Sequence, residues 1–174
     1  MGAAPVSGIA LRPFLPADAR RCIEIFRASI EELASEDYDA DQREAWSAKA
    51  DDAGAFAERL SASLTLIASL DGQSVGFASL KGQAVLDMLF VDPAFARRGV
   101  GAALIDALVR IAEARGVGRL SVDASDTARP LFERHGFVAE RRNLVAVGDQ
   151  WLGNTTMTRT FAKSGAAGEP TTRH

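Results

Sequence analysis

The chain has 174 residues, 47% of them hydrophobic and 25% charged, with a net charge of −3. That length supports one core in one domain, expected over 1–161 with a small, polar tail over 162–174. The mild acidity argues against a nucleic-acid partner, whose phosphates demand a basic field. Cys22 is the sole cysteine, and the two histidines, His135 and His174, are far apart. Neither an internal disulfide nor a metal-ligand spacing is therefore present, and a reduced, cytoplasmic compartment is expected. The opening "MGAAPVSGIALRPF" lacks the charged-then-apolar order of a secretory signal, and no apolar run approaches the roughly 20 residues of a membrane span.

Residues Ile9 to Phe14 alternate briefly and stop near Pro13 and Pro16, as a first strand would. Asp18 is placed to cap an amphipathic helix carrying Ile23, Ile25, Phe26, Ile30 and Leu33, with Arg20, Glu24, Arg27 and Glu31 turned elsewhere. Two further helical stretches, "DADQREAWSAKA" and "DAGAFAERLSAS", follow. Then the period shortens. "LTLIASL", "SVGFASL" and "AVLDMLFV" read as strands joined by Asp71-Gly72 and Lys81-Gly82, residue pairs suited to positive φ in tight turns, which gives an antiparallel three-strand meander.

"AALIDALVRIAEARG" carries one apolar stripe and ends in a glycine cap. "RLSVDAS" is a strand with Leu120, Val122 and Ala124 on one face and Ser121 and Asp123 on the other. Asp126 or Thr127 is expected to cap a short helix through "ARPLFERHGF" that Gly136 ends, before two or three closing strands up to about Phe161. The strand–helix–strand unit requires a parallel crossover in an otherwise antiparallel sheet.

Between the meander and the long helix lies "ARRGVGAAL", Ala96 to Leu104. A glycine turn feeding a helix is an anion site, because the first amides are unpaired and the macrodipole is positive there. Arg97 and Arg98 add charge-assisted donors. Packing of helix against strand is the plain alternative. A mononucleotide loop is excluded, since no Lys-Ser or Lys-Thr follows. A dinucleotide fingerprint is disfavoured by Leu104 at its third small position and by the long connection "DPAFARR", although Asp123 lies about 20 residues on.

The stretch from Leu86 to Phe137, with its V-x-P, its R-x-x-G-x-G-like turn opening a helix and its later "LFERHGF", resembles the acetyl coenzyme A binding core of the GNAT acetyltransferases. The resemblance implies an α+β fold with a twisted, mostly antiparallel sheet flanked by helices and a parallel strand–helix–strand coenzyme site. It implies an N-acetyltransferase that moves an acetyl group from acetyl coenzyme A to a primary amine of a small molecule, amino acid or peptide, without a metal. Arg97, Arg98, Gly99, Val100, Gly101, Ala102 and Ala103 would hold the pyrophosphate; Ala96 replaces the usual Gln or Arg. Leu89, Phe90 and Val91 would offer backbone to the pantetheine arm in a gap between two splayed strands, one of their amides polarising the acetyl carbonyl. Ser125, Ala128 and Phe132 would complete the coenzyme side.

Direct attack needs a neutral amine and hence a proton acceptor. Asp87, among apolar strand neighbours, is the first candidate and Asp123 the second. The tyrosine that often protonates the departing sulfur is Phe132 here. Tyr38, the one tyrosine, is assigned to the acceptor wall or to catalysis, with Gln42 and Trp46 on one helical face beside it and Trp151 as a further wall residue. Glu31, Glu32, Glu36, Asp37, Asp39, Asp41 and Glu44 form either a solvated face or a rim that attracts a cationic amine. Phe132 also keeps open a catalytically weak acyl-coenzyme A binding or sensing module. The late strands present an edge at which two copies could pair as a homodimer.

Overall fold

The computed structural model describes residues 8–162. The tail expected from 162 onward lies, beyond Ala162, outside them, as does His174. The elements run β1 (Ala10–Pro13), α1 (Ala19–Leu33), α2 (Ala40–Ser47), α3 (Ala53–Ala62), β2 (Leu64–Leu70), β3 (Gln73–Lys81), β4 (Val85–Val91), α4 (Val100–Ala114), β5 (Arg119–Ser125), α5 (Arg129–Arg134), β6 (Val138–Val147) and β7 (Gln150–Thr160). The strands make one seven-stranded sheet in the order β1-β2-β3-β4-β5-β7-β6. Every pairing is antiparallel except β4 with β5.

The meander forms as its turns dictate: Asp71 and Gly72 take φ of 52° and 78°, and Gly82 takes 59°. Each face of the sheet then carries its own core. On one, Leu104, Ile105 and Leu108 of α4 close over Leu80, Leu120 and Met157. On the other, Ile25 and Phe26 of α1 and Leu60 of α3 pack on Ile67, Phe77 and Met88. Burial of each such side chain is worth roughly 1.5–3 kcal/mol, so both helical layers are held by apolar packing rather than by their surface ion pairs.

Two expected caps are corrected. Asp18 precedes α1, but its carboxylate turns back to Arg12, with both contacts at 2.8 Å, and accepts from the Leu15 N–H. A bidentate guanidinium outcompetes a helix amide for the same oxygens. Neither Asp126 nor Thr127 caps α5. The Ser125 hydroxyl oxygen accepts the Ala128 N–H at 3.1 Å, while Asp126 pairs with Arg142 and Thr127 donates to Asp37.

Gly76 on β3 lies under the start of α4. A Cβ there would stand 2.8 Å from Val100 Cγ1 and 3.1 Å from the Phe90 carbonyl oxygen. Gly76→Ala must displace the first turn of α4 or β4 itself, and is expected to cost about 1–3 kcal/mol, the range for overpacking. The denaturant midpoint of the purified variant checks this; an unchanged midpoint would show that the α4 contact gives way freely.

Candidate functional site

β4 and β5 pair over only two rungs, Val85 with Ser121 and Leu86 with Val122. Beyond them β4 stays bound to β3 as far as Val91, and β5 to β7 as far as Ser125. The edges of residues 87–91 and 123–125 therefore face each other across a wedge. A cavity of about 310 Å³ opens there.

At the far end of the wedge, Pro93–Phe95 form a 3-10 turn in which Asp92 accepts the Ala94 N–H and pairs with Arg21 of α1 at 2.5 Å. The chain then reverses through Arg97 at φ 61° and Gly99 at φ 85° and enters α4. The first amide used within α4 is that of Ala103, bonded to the Gly99 carbonyl at 3.0 Å. Val100, Gly101 and Ala102 precede it and have no intrahelical acceptor. Arg97 and Arg98 are exposed, and the Arg98 guanidinium lies 5.4 Å from the Phe95 ring centroid.

The two glycines do different work. A Cβ on Gly99 would meet nothing within 4 Å, so glycine is required there by backbone conformation. A Cβ on Gly101 would lie 2.8 Å from Leu131 Cδ2, so that glycine lets α4 and α5 approach. The packing reading of the sequence applies to Gly101, with the difference that its near neighbour is on α5 rather than on a strand, while Gly99 leaves open space in front of the helix start.

On the coenzyme-like side, Ser125, Ala128 and Phe132 line the cavity, and Phe132 is buried with its ring 5.2 Å from Phe137. Leu89 and Phe90 line it from β4. Val91 lies past them, toward Gly101. The opposite wall is aromatic: Phe90 meets Phe26 at 4.7 Å and Trp46 at 6.0 Å, and Trp46 meets Tyr38 at 5.5 Å. Gln42 does not reach it. Its side chain completes a capping box with Asp39 and donates to the Trp151 carbonyl at 2.8 Å. The Trp151 side chain is 59% exposed, away from the wall expected for it. The acidic residues of 31–44 are all exposed and none lines the cavity, so they form the solvated face.

Tyr38 is buried, and its hydroxyl is engaged twice: it donates to the Gly153 carbonyl at 2.6 Å and accepts the Asp126 N–H at 2.9 Å. It ties the loop after α1 to both β7 and the end of β5. Burial raises its pKa, and the Asp126 N–H opposes that rise.

Asp87 and Asp123 occupy neighbouring positions where the wedge begins, and both line the cavity. The apolar surroundings expected of Asp87 are corrected: Arg59 of α3 grips both its oxygens, at 2.9 and 3.0 Å. Among the described residues Asp123 has no cation partner. One oxygen accepts the Thr156 hydroxyl at 2.7 Å and the other is open. Arg59 and Lys49 are the charged cavity residues that sequence reasoning missed, since on short helical segments they look like any surface cation. Lys49 has no hydrogen-bond or ion-pair partner among the described residues. Although the residue is exposed, the cleft walls desolvate its ammonium and push its pKa down; Arg59 adds to this and Asp87 opposes it.

Comparison with known proteins agrees with this geometry. The model of the acetyltransferase (GNAT) domain matches residues 34–158. The N-acetyltransferase YafP of Escherichia coli (strain K12) is 36% identical over 152 residues, covering 87% of this chain and 96% of that protein. A GCN5-related N-acetyltransferase of Rhodopseudomonas palustris, also named as a class-II aminotransferase, superposes with a TM-score of 0.88 at 52% identity over 92% of this chain and all of its own. The PaiA N-acetyltransferase of Thermoplasma acidophilum, solved with coenzyme A, shares the fold at a TM-score of 0.74 and 19% identity over 88% of this chain and 99% of its own.

Removing the Tyr38 hydroxyl leaves two backbone groups without a partner, so Tyr38→Phe should destabilise the fold by about 1–3 kcal/mol. Because the folded phenol holds its proton to higher pH than the unfolded one, its contribution is complete below about pH 10 and is lost as pH rises through the folded value. The difference in denaturant midpoint between wild type and Tyr38→Phe should therefore shrink from pH 8 to pH 11. A constant difference would remove phenol ionisation from the balance.

Proposed function

The chain belongs to the GNAT acetyltransferase family, and on that premise we propose that it transfers an acetyl group from acetyl coenzyme A to a primary amine by direct attack. The observation that carries the reading is the wedge between β4 and β5, opening at one end onto a positive-φ glycine turn with free helix amides and at the other onto a cavity with a cation-free carboxylate.

The residues fit the coenzyme. Open space beside Gly99, the amides of Val100, Gly101 and Ala102, and the exposed Arg97 and Arg98 suit a pyrophosphate. The Ala103 amide, expected to help, is spent on Gly99. The free edge of residues 87–91 suits an amide-bearing arm that bonds like a strand. Bound there, acetyl coenzyme A would supply an acyl group activated as a thioester.

The chain's own groups then do the rest. An amide of Leu89, Phe90 or Val91 polarises the acyl carbonyl. Asp123 receives the proton that the ammonium must lose before its nitrogen can attack, in preference to Asp87, whose oxygens are both held by Arg59. The C–N bond forms, the C–S bond breaks, and the sulfur leaves as a thiolate with a pKa near that of cysteine, about 8.5, which lessens the need for an acid; the second proton, shed by the acylated nitrogen, then neutralises that thiolate. The Ser125 hydroxyl, whose oxygen accepts from Ala128, still has its own proton to give. The phenol proton of Tyr38 is committed to Gly153, so Tyr38 is a positioning residue.

Acetyl coenzyme A should raise the melting temperature, and free thiol should appear when a primary amine is added. Binding without thiol release across a broad amine panel would favour the acyl-coenzyme A sensing module that Phe132 leaves open; no binding at millimolar coenzyme would remove both. Gly99→Val should abolish the coenzyme-induced shift, and Ala96→Gln should keep or enlarge it. Asp123→Asn should lower kcat at neutral pH by about 10²-fold or more, the usual contribution of a positioned base, and less at high pH. Asp87→Asn should cost less at neutral pH; the reverse order would return the proton to Asp87.

A further inference from the structure

Four charged side chains face the acceptor half of the cavity: Lys49, Arg59, Asp87 and Asp123. Arg59 and Asp87 neutralise each other through two hydrogen bonds. What is left, among the described residues, is one cation with no hydrogen-bond or ion-pair partner, Lys49, and one carboxylate without a cation, Asp123. Phe26, Trp46 and Phe90 line the same cavity as an aromatic wall.

A monoamine or a polyamine would leave the Lys49 ammonium facing a second cation in a narrow cleft, at a cost in repulsion and desolvation. A purely anionic acceptor would face Asp123. The complement of this set is a molecule that carries one ammonium and one carboxylate on an apolar body. We infer that the acceptor is a free amino acid with an apolar or aromatic side chain, its carboxylate bound by Lys49, its amine directed to Asp123 and its side chain on Phe26, Trp46 and Phe90. This rests on the transferase reading of the same cleft and narrows it. The reaction balances as above: the amino acid's ammonium passes one proton to Asp123, its nitrogen takes the acetyl group, and the second proton that nitrogen sheds neutralises the departing thiolate, so the coenzyme is released as the thiol.

The pairing also accounts for Arg59. Without it, two adjacent carboxylates would attract dications; with it, the cleft presents a single net dipole from Lys49 to Asp123. Neither end is supplied by the sheet's backbone, so the acceptor is selected by side chains alone.

The test measures thiol release from acetyl coenzyme A with L-phenylalanine, L-leucine, L-phenylalaninamide and 2-phenylethylamine. The amino acids should exceed the amide and the amine in kcat/KM by roughly tenfold or more, as one charge-assisted hydrogen bond predicts. Lys49→Met should raise KM for L-phenylalanine and erase that preference, and Lys49→Arg should restore most of it, while all variants keep the wild-type thermal shift with acetyl coenzyme A. If 2-phenylethylamine or the amide is acetylated as well as L-phenylalanine, or if Lys49→Met leaves the preference intact, the amino-acid inference falls and the transferase reading stands. If none of the four compounds releases thiol but other amines do, the inference falls in the same way. If coenzyme binds and no amine at all releases thiol, the transferase reading falls with it.

Discussion

The cleft proposed as the active site depends on β4 and β5 ceasing to pair after two rungs. In a continuous sheet the backbone groups of 87–91 and 123–125 would satisfy each other, and no cavity would exist. Each strand instead keeps a full partner on its outer side, so the wedge removes one edge's hydrogen bonds and nothing more. One core spans both halves of the sheet and the other backs β2, β3 and β4. Tyr38 adds a strut at the rim, bonding β7 and the amide just past β5 through one hydroxyl.

The glycine turn shows how a single motif serves two forces. Gly99 is dictated by φ and leaves open space; Gly101 is dictated by Leu131 and fills it. A reading that treats both as clearance for a phosphate would misjudge which substitution disturbs the fold and which the ligand. The non-glycine Arg97 at φ 61° belongs to the same turn, and its strained backbone is one that the surrounding structure must hold in place.

Much of this was legible in the chain. The meander announced itself through Asp71-Gly72 and Lys81-Gly82, and α4 through its apolar stripe, because local propensity and burial agree there. The turn proposed to hold the coenzyme was legible as a turn for a related reason: it is made of backbone, and backbone geometry leaves marks such as Gly99. Caps were less legible. Asp18, Asp126 and Thr127 all have capping chemistry, yet the guanidiniums of Arg12 and Arg142 claimed the first two and the Asp37 carboxylate claimed the third. Such competition is decided by tertiary position, which no local pattern encodes.

The acceptor side was least legible for the same physical reason carried further. Arg59 and Lys49 lie on helical segments where cations are ordinary, and only the docking of those segments over β4 turns them toward Asp87 and the cavity. Asp87 illustrates the consequence. Its apolar neighbours along β4 suggested a carboxylate stranded in a hydrophobic pocket, but its nearest charge comes from α3, 28 residues away in the chain. The proposed coenzyme side thus rests on main-chain geometry, whereas the proposed acceptor side rests on a few side chains. On that proposal, a single charge such as Lys49 can change which acceptor fits without altering the unpaired edges of β4 and β5.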